Sequence, residues 1–134
     1  MTRLRLRLFG GFEARDDAGQ VIAFPRKKAE SLLAYLALQP EQAHSRDKLA
    51  ALLWAGIDAN RTRHSLRQVL VSLRQSMAST GPTVLVEDGD SVAIDPRTLE
   101  VDALSFERLV TAGTPHSLAE AADLYHGELL AGLG

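Results

Sequence analysis

Cysteine is absent from this sequence. Disulfide frameworks, thiolate metal sites and cysteine nucleophiles are therefore excluded. Aromatic residues make up only 5% of the 134 residues, so stacking of single-stranded bases on aromatic platforms is a poor model. No apolar run approaches the ~20 residues that a bilayer-spanning helix needs. The opening MTRLRLRLFGG alternates charge with leucine and lacks the unbroken apolar stretch of a signal peptide. A cytoplasmic chain with no membrane partner is expected. No Gly-rich phosphate loop, HExxH or GxSxG occurs. The four histidines, His44, His64, His116 and His126, are scattered, and none stands at metal-ligand spacing from another ligand. His44 and His126 read as polar surface residues. The expectation is a chain with no catalytic site, no metal and no cofactor.

Against these absences stands an uneven distribution of charge. The net charge is −2, which by itself argues against a polyanionic partner. Residues 1–25 carry +1, residues 26–78 carry +5 and residues 79–134 carry −8. The middle block has nine basic side chains (Arg26, Lys27, Lys28, Arg46, Lys48, Arg61, Arg63, Arg67, Arg74) against four acids. A basic middle joined to an acidic end is the asymmetry expected when one segment meets nucleic acid and the other does not.

The periodicities give an α+β chain. Leu4, Leu6 and Leu8 alternate with Arg3, Arg5 and Arg7, the pattern of a half-buried strand whose charged outer face discourages edge pairing or meets DNA. Gly10-Gly11 permits a bend, Phe12–Ala14 resumes extended structure, Asp16–Gly19 is turn chemistry, and Val21–Phe24 is a further short strand. These predict a small N-terminal antiparallel sheet. Pro25 opens a helix whose apolar face is Ala29, Leu32, Leu33, Leu36 and Ala37, ending at Pro40. Ser45 caps a second helix with a stripe of Leu49, Leu52 and Leu53, stopped at Gly56. Trp54, beside that stripe, reads as core. Asp58 caps a third helix over residues 59–78, stopped by Ser79-Thr80-Gly81-Pro82. Val84–Val86 and Val92–Ile94 flank Asp88-Gly89, a strong hairpin signal because a tight turn needs positive φ. Strands, three helices and a hairpin make a winged helix-turn-helix over residues 1–96. Beyond Pro96, a short helix from near Asp102 and a second with a Ser117/Glu120 capping box, carrying Leu118, Ala121, Ala122, Tyr125 and Leu129, suggest the first helices of a helical-repeat domain over 97–134. Such helices pack on the winged helix or stay mobile, since isolated hairpin repeats are rarely stable.

The third helix carries the functional reading. At about 100° per residue, Leu66, Val69, Leu70 and Leu73 cluster on one side with Thr62 beside them. The opposite side presents His64, Gln68, Val71 and Gln75, flanked by Arg63, Arg67 and Arg74 on one side and Arg61 on the other. Arginine reads guanine bidentately, glutamine reads adenine and valine packs on a thymine methyl; outer arginines hold phosphates. A helix face made only for solubility intersperses charges of both signs, yet no acid occurs between Asp58 and Glu87. Arg46 and Lys48, and Lys27 and Lys28, at the starts of the two earlier helices, are candidates for phosphate clamps or for simple solubility. Glu87 and Asp90 are expected to face each other across the Asp88-Gly89 turn. That places three acids at the wing tip, which would stay off the phosphates or face a protein.

These residues resemble a known family. LRLFGGFEARDDAGQVIAFPRKKAESLLAYLAL, HSRDKLAALLW and RTRHSLRQVLVSLRQSM resemble the OmpR/PhoB-like winged helix of SARP-type bacterial transcriptional regulators, and EAADLYHGELLAGL resembles the start of their TPR-like bacterial transcriptional activation domain. The resemblance implies sequence-specific binding of double-stranded DNA, on direct repeats and with a possible dimer on DNA, together with contact with RNA polymerase. It implies recognition-helix contacts at Arg61, Arg63, His64, Arg67, Gln68 and Arg74. The alternative is a winged-helix interaction module that no longer binds DNA and docks a partner through its acidic wing and tail.

Overall fold

The computed structural model describes residues 4–16, 18–40, 42–78 and 84–125. The predicted helix stop at 79–82, Asp17 of the first turn, Arg3, and His126 and Leu129 of the tail lie outside them. The first sheet is built from β1 (Leu4–Arg7), β2 (Glu13–Arg15) and β3 (Val21–Ile22). In β1 the leucines are buried and the arginines exposed in strict alternation. Gly10 and Gly11, both at positive φ, let the chain reverse between β1 and β2.

Three helices follow: α1 (Lys27–Leu38), α2 (Arg46–Leu53) and α3 (Ala59–Met77). Ser45 Oγ accepts from the Lys48 amide to cap α2, and Asp58 Oδ1 accepts from the Asn60 amide to cap α3, as their positions in the sequence predict. A two-residue strand, β4 (His44–Ser45), enters α2 and pairs with β6 (Ser91–Ile94), which pairs in turn with β5 (Leu85–Asp88). The hairpin is thus a three-stranded sheet joined to the start of α2. Leu32, Leu33 and Leu36 of α1, Leu66, Leu70 and Leu73 of α3, and Val92 and Ile94 of β6 share one core with the β1 leucines.

Several expectations are corrected. The first sheet is mixed rather than antiparallel, because β7 (Leu99–Val101) pairs parallel to β1, making the order β3-β2-β1-β7. β1 is therefore an interior strand, and Arg5 faces Glu100 across it at 3.6 Å. Leu52 does not join the stripe of α2: it is 54% exposed, while Leu49 is buried. The last helix among the described residues, α5 (Pro115–Leu124), starts earlier than Ser117, with Thr114 as cap and Ser117 closing the box; Glu120 instead pairs with His116.

The segment after the wing packs on the first sheet. A 3-10 turn, Pro96–Thr98, leads into β7 and α4 (Asp102–Ala112). Asp102 accepts from the amides of Leu8 (2.8 Å), Phe9 (3.1 Å) and Ala103 (2.7 Å). Phe9 packs edge-on against Phe106 and at a tilt against Tyr125. Asp102→Ala strips acceptors from partly buried amides and is expected to cost about 1–3 kcal/mol, read as a lower urea midpoint; Asp102→Asn, which keeps one acceptor oxygen, costs less.

Candidate nucleic-acid interface

The outward side of α3 is open. Arg61, Arg63, His64, Arg67, Gln68, Val71, Arg74 and Gln75 are all exposed, whereas Leu66, Val69, Leu70 and Leu73 are buried. The sequence-predicted face is therefore brought together on one side of one helix. Arg46, at the start of α2, lines one groove with Arg63, Arg67 and Arg74, whereas Lys48, two residues on, sets its Nζ 3.3 Å from His44 Nδ1.

The electrostatics of this face differ from those of a bare basic helix. Arg63 donates to Asp47 through Nε (2.9 Å) and Nη2 (3.3 Å), a fork across α2 and α3. Arg46 Nη2 donates to Glu87 Oε1 at 2.8 Å, and Arg74 Nη1 donates to the other oxygen of the same carboxylate. Burial pushes the Glu87 carboxyl up, but hydrogen bonds from Arg46 and Arg74 outweigh it and hold the group below the ordinary carboxylate value. His64 and Gln68 hydrogen-bond through their Nε2 atoms at 3.2 Å. Arg61 and Arg67 have no ionic or hydrogen-bonding partner among the described residues. Lys28 is tied to structure as well, donating to the Leu53 carbonyl at 2.6 Å beside the partly buried Trp54.

The predicted wing is off by one residue. Asp88 pairs with Ser91 and Glu87 with Val92, so Gly89 and Asp90 form the turn and Glu87 does not face Asp90. Gly89, at φ 59°, is the residue that permits the reversal. Side chains alternate along a strand, so Glu87, two residues from Leu85, lies on the same side as Leu85, Val92 and Ile94, and the observed register sets it opposite Val92. Glu87 and Asp47 are the site residues missed from sequence. The signal for Glu87 was present in the i, i+2 relation to Leu85.

His44 is also corrected, from surface residue to core: it is 1% exposed, packed on Tyr35, with Lys48 Nζ 3.3 Å from Nδ1 and Nε2 buried without a partner among the described residues. Burial, then the Lys48 charge, depresses its pKa below the ordinary value of 6.5. The unfolded chain therefore takes up this proton more readily than the folded one. Above about pH 6.5 both states hold neutral His44 and it adds no pH dependence. Below that, stability falls by up to ~1.4 kcal/mol per pH unit until the folded pKa is reached. Urea unfolding between pH 7.5 and 5 should show this loss in the wild type and a shallower one in His44→Gln.

The order of sheet, three helices and wing is that of a winged helix-turn-helix. A solved structure, Mycobacterium tuberculosis EmbR in complex with a low affinity phosphopeptide, matches it with a TM-score of 0.85 at 21% identity, covering 99% of this chain and 38% of that chain. The likeness is one of fold, and this chain spans well under half of the EmbR chain. No protein-family model matches the sequence, and none of the curated proteins matches it. Among the described residues no helix is long and apolar enough to cross a membrane.

Proposed function

We propose that this protein is the DNA-binding part of a bacterial transcriptional regulator, with α3 in the major groove of double-stranded DNA. The observation that carries this is the division of α3 into a buried leucine–valine stripe and an exposed face of Arg61, Arg63, His64, Arg67, Gln68 and Val71. The core fixes the helix while the candidate reading side chains are exposed, Arg63 alone of them being ion-paired, to Asp47. The winged-helix fold, shared with EmbR, is the scaffold this reading needs. In it, Arg67, Gln68, His64 and Val71 address bases, while Arg61, Arg46 and Lys48 address phosphates. Residues 97–134 begin a helical activation domain, and the cytoplasmic regulator binds direct repeats, as a dimer on DNA, and touches RNA polymerase.

The test is binding to a random duplex pool at two salt concentrations. Phosphate contacts release counterions, so affinity should fall steeply between about 50 and 200 mM salt, with a slope near −0.9 per contact. The pairing of Arg46, Arg63 and Arg74 with acids is the observation that favours the alternative, an interaction module docking a protein partner. No binding to the pool, or binding indifferent to salt, would count against DNA and for that alternative.

A further inference from the structure

We infer that Glu87 is a specificity-determining positioning residue: it lowers indiscriminate attraction to DNA while holding Arg46 and Arg74 in fixed orientation. This rests on the DNA-binding reading above.

An acid on the inward side of a hairpin is costly unless charged partners meet it. Glu87 sits in line with Leu85 and opposite Val92, and its side chain is only 23% exposed although the residue as a whole is exposed. Its two partners come from two different helices: Arg46 is the first residue of α2, and Arg74 lies in the last turn of α3. The Arg46 amide also donates to the Asp90 carbonyl at 2.9 Å, so the hairpin that carries Glu87 is fastened to the start of α2. One carboxylate thus ties wing, α2 and α3 together.

Each guanidinium offers five N–H donors, and each gives one to Glu87. The others remain available on a groove of about 600 Å³ lined by Arg46, Asp47, Arg63, Arg67, Arg74, Glu87 and Asp90 among others. Four arginines and three acids share that groove, so its net charge is only +1. A surface that gripped DNA by charge alone would not spend three carboxylates there. Placement, rather than quantity, of positive charge is what the arrangement supplies. Guanidiniums held in one orientation lose less freedom on meeting a matching base or phosphate, while a random site gains little from so small a net charge.

Glu87→Gln removes the negative charge but keeps the shape and one acceptor. In the 134-residue protein we expect affinity for an unselected duplex pool to rise about tenfold at roughly 50 mM salt, with the salt slope steeper by ~0.9, the effect of one further cation facing phosphate. Affinity for a duplex selected from a random library should change far less, so the ratio of selected to pool affinity falls roughly tenfold. Glu87→Asp keeps the charge but is too short to span both arginines; its pool affinity and salt slope stay at the wild-type values while the ratio falls. Thermal melting checks that both variants fold, and a purely structural role would move melting without moving the salt slope. If wild type binds DNA with salt dependence and Glu87→Gln leaves ratio and slope unchanged, the role of Glu87 is wrong and the DNA reading stands. If wild type binds no duplex with salt dependence, the DNA reading falls and this one with it.

Discussion

Leu73→Ala is expected to destabilise the protein by about 3 kcal/mol, within the 2–5 kcal/mol that removal of a buried leucine costs. Leu73 is 0% exposed and belongs to the core shared by α1, α3 and the wing strand β6. Truncating it forfeits the transfer of its side chain from water and leaves a cavity that three rigid elements cannot readily close. Domains of this size hold only about 5–15 kcal/mol in total, so the variant should melt roughly 10 °C or more below wild type. The matching control is Leu52→Ala in α2. The helical pattern alone predicts a comparable loss, since Leu52 stands next to Leu53 in the apparent stripe. Its 54% exposure predicts instead a change of about 0.5 kcal/mol, typical of a surface position. A loss at Leu52 as large as at Leu73 would overturn the packing described for α2.

The helices were legible because their signals are local. Asp58 and Ser45 announce their caps, and nineteen residues of α3 repeat one apolar period long enough to average out any single exception. The wheel of α3 therefore places Leu66, Val69, Leu70 and Leu73 inside and the candidate reading face outside from the sequence alone. α2 is only eight residues, and in so short a helix one leucine beside the stripe is easily misassigned. β4 and β7 were invisible for a different reason. Two or three residues carry no alternation of their own, and they become strands only through partners at Ser91–Val92 and Leu4–Leu6, far away in sequence. The hairpin was legible as a hairpin, but its register was not, because Asp88-Gly89 and Gly89-Asp90 are nearly equivalent turn pairs locally. The hairpin's distant partners go with the second: β4 pairs with Ser91 and Val92, and the Arg46 amide bonds the Asp90 carbonyl. With that turn Glu87 stands opposite Val92 rather than Asp90 and is met by Arg46 and Arg74, while His44, read as polar surface, pairs with Val92 and packs on Tyr35.

These ion pairs also decide which side chains to test for base reading. Arg63 and Arg74 must share or release a carboxylate before they can bind DNA fully, and Arg46 shares the Glu87 carboxylate with Arg74. Arg67 has no such cost: it lies between them on the helix surface, exposed and unpaired among the described residues. Gln68 stands next to it, oriented by its bond to His64 at 3.2 Å. The double variant Arg67→Ala/Gln68→Ala should therefore lose most of the preference for a selected duplex, at about 1–3 kcal/mol for each good bidentate contact, or tenfold and more per residue. Affinity for the unselected pool should fall far less, since random sites offer those side chains no matching edges. Arg61→Ala provides the contrast. It lies at the flank of the face, also unpaired among the described residues, and its loss should weaken selected and random duplexes alike while flattening the salt slope by ~0.9. A double variant that binds its selected duplex as tightly and selectively as wild type would mean that α3 does not read the sequence. A change at Arg61 confined to the selected duplex would place that arginine on a base rather than a phosphate.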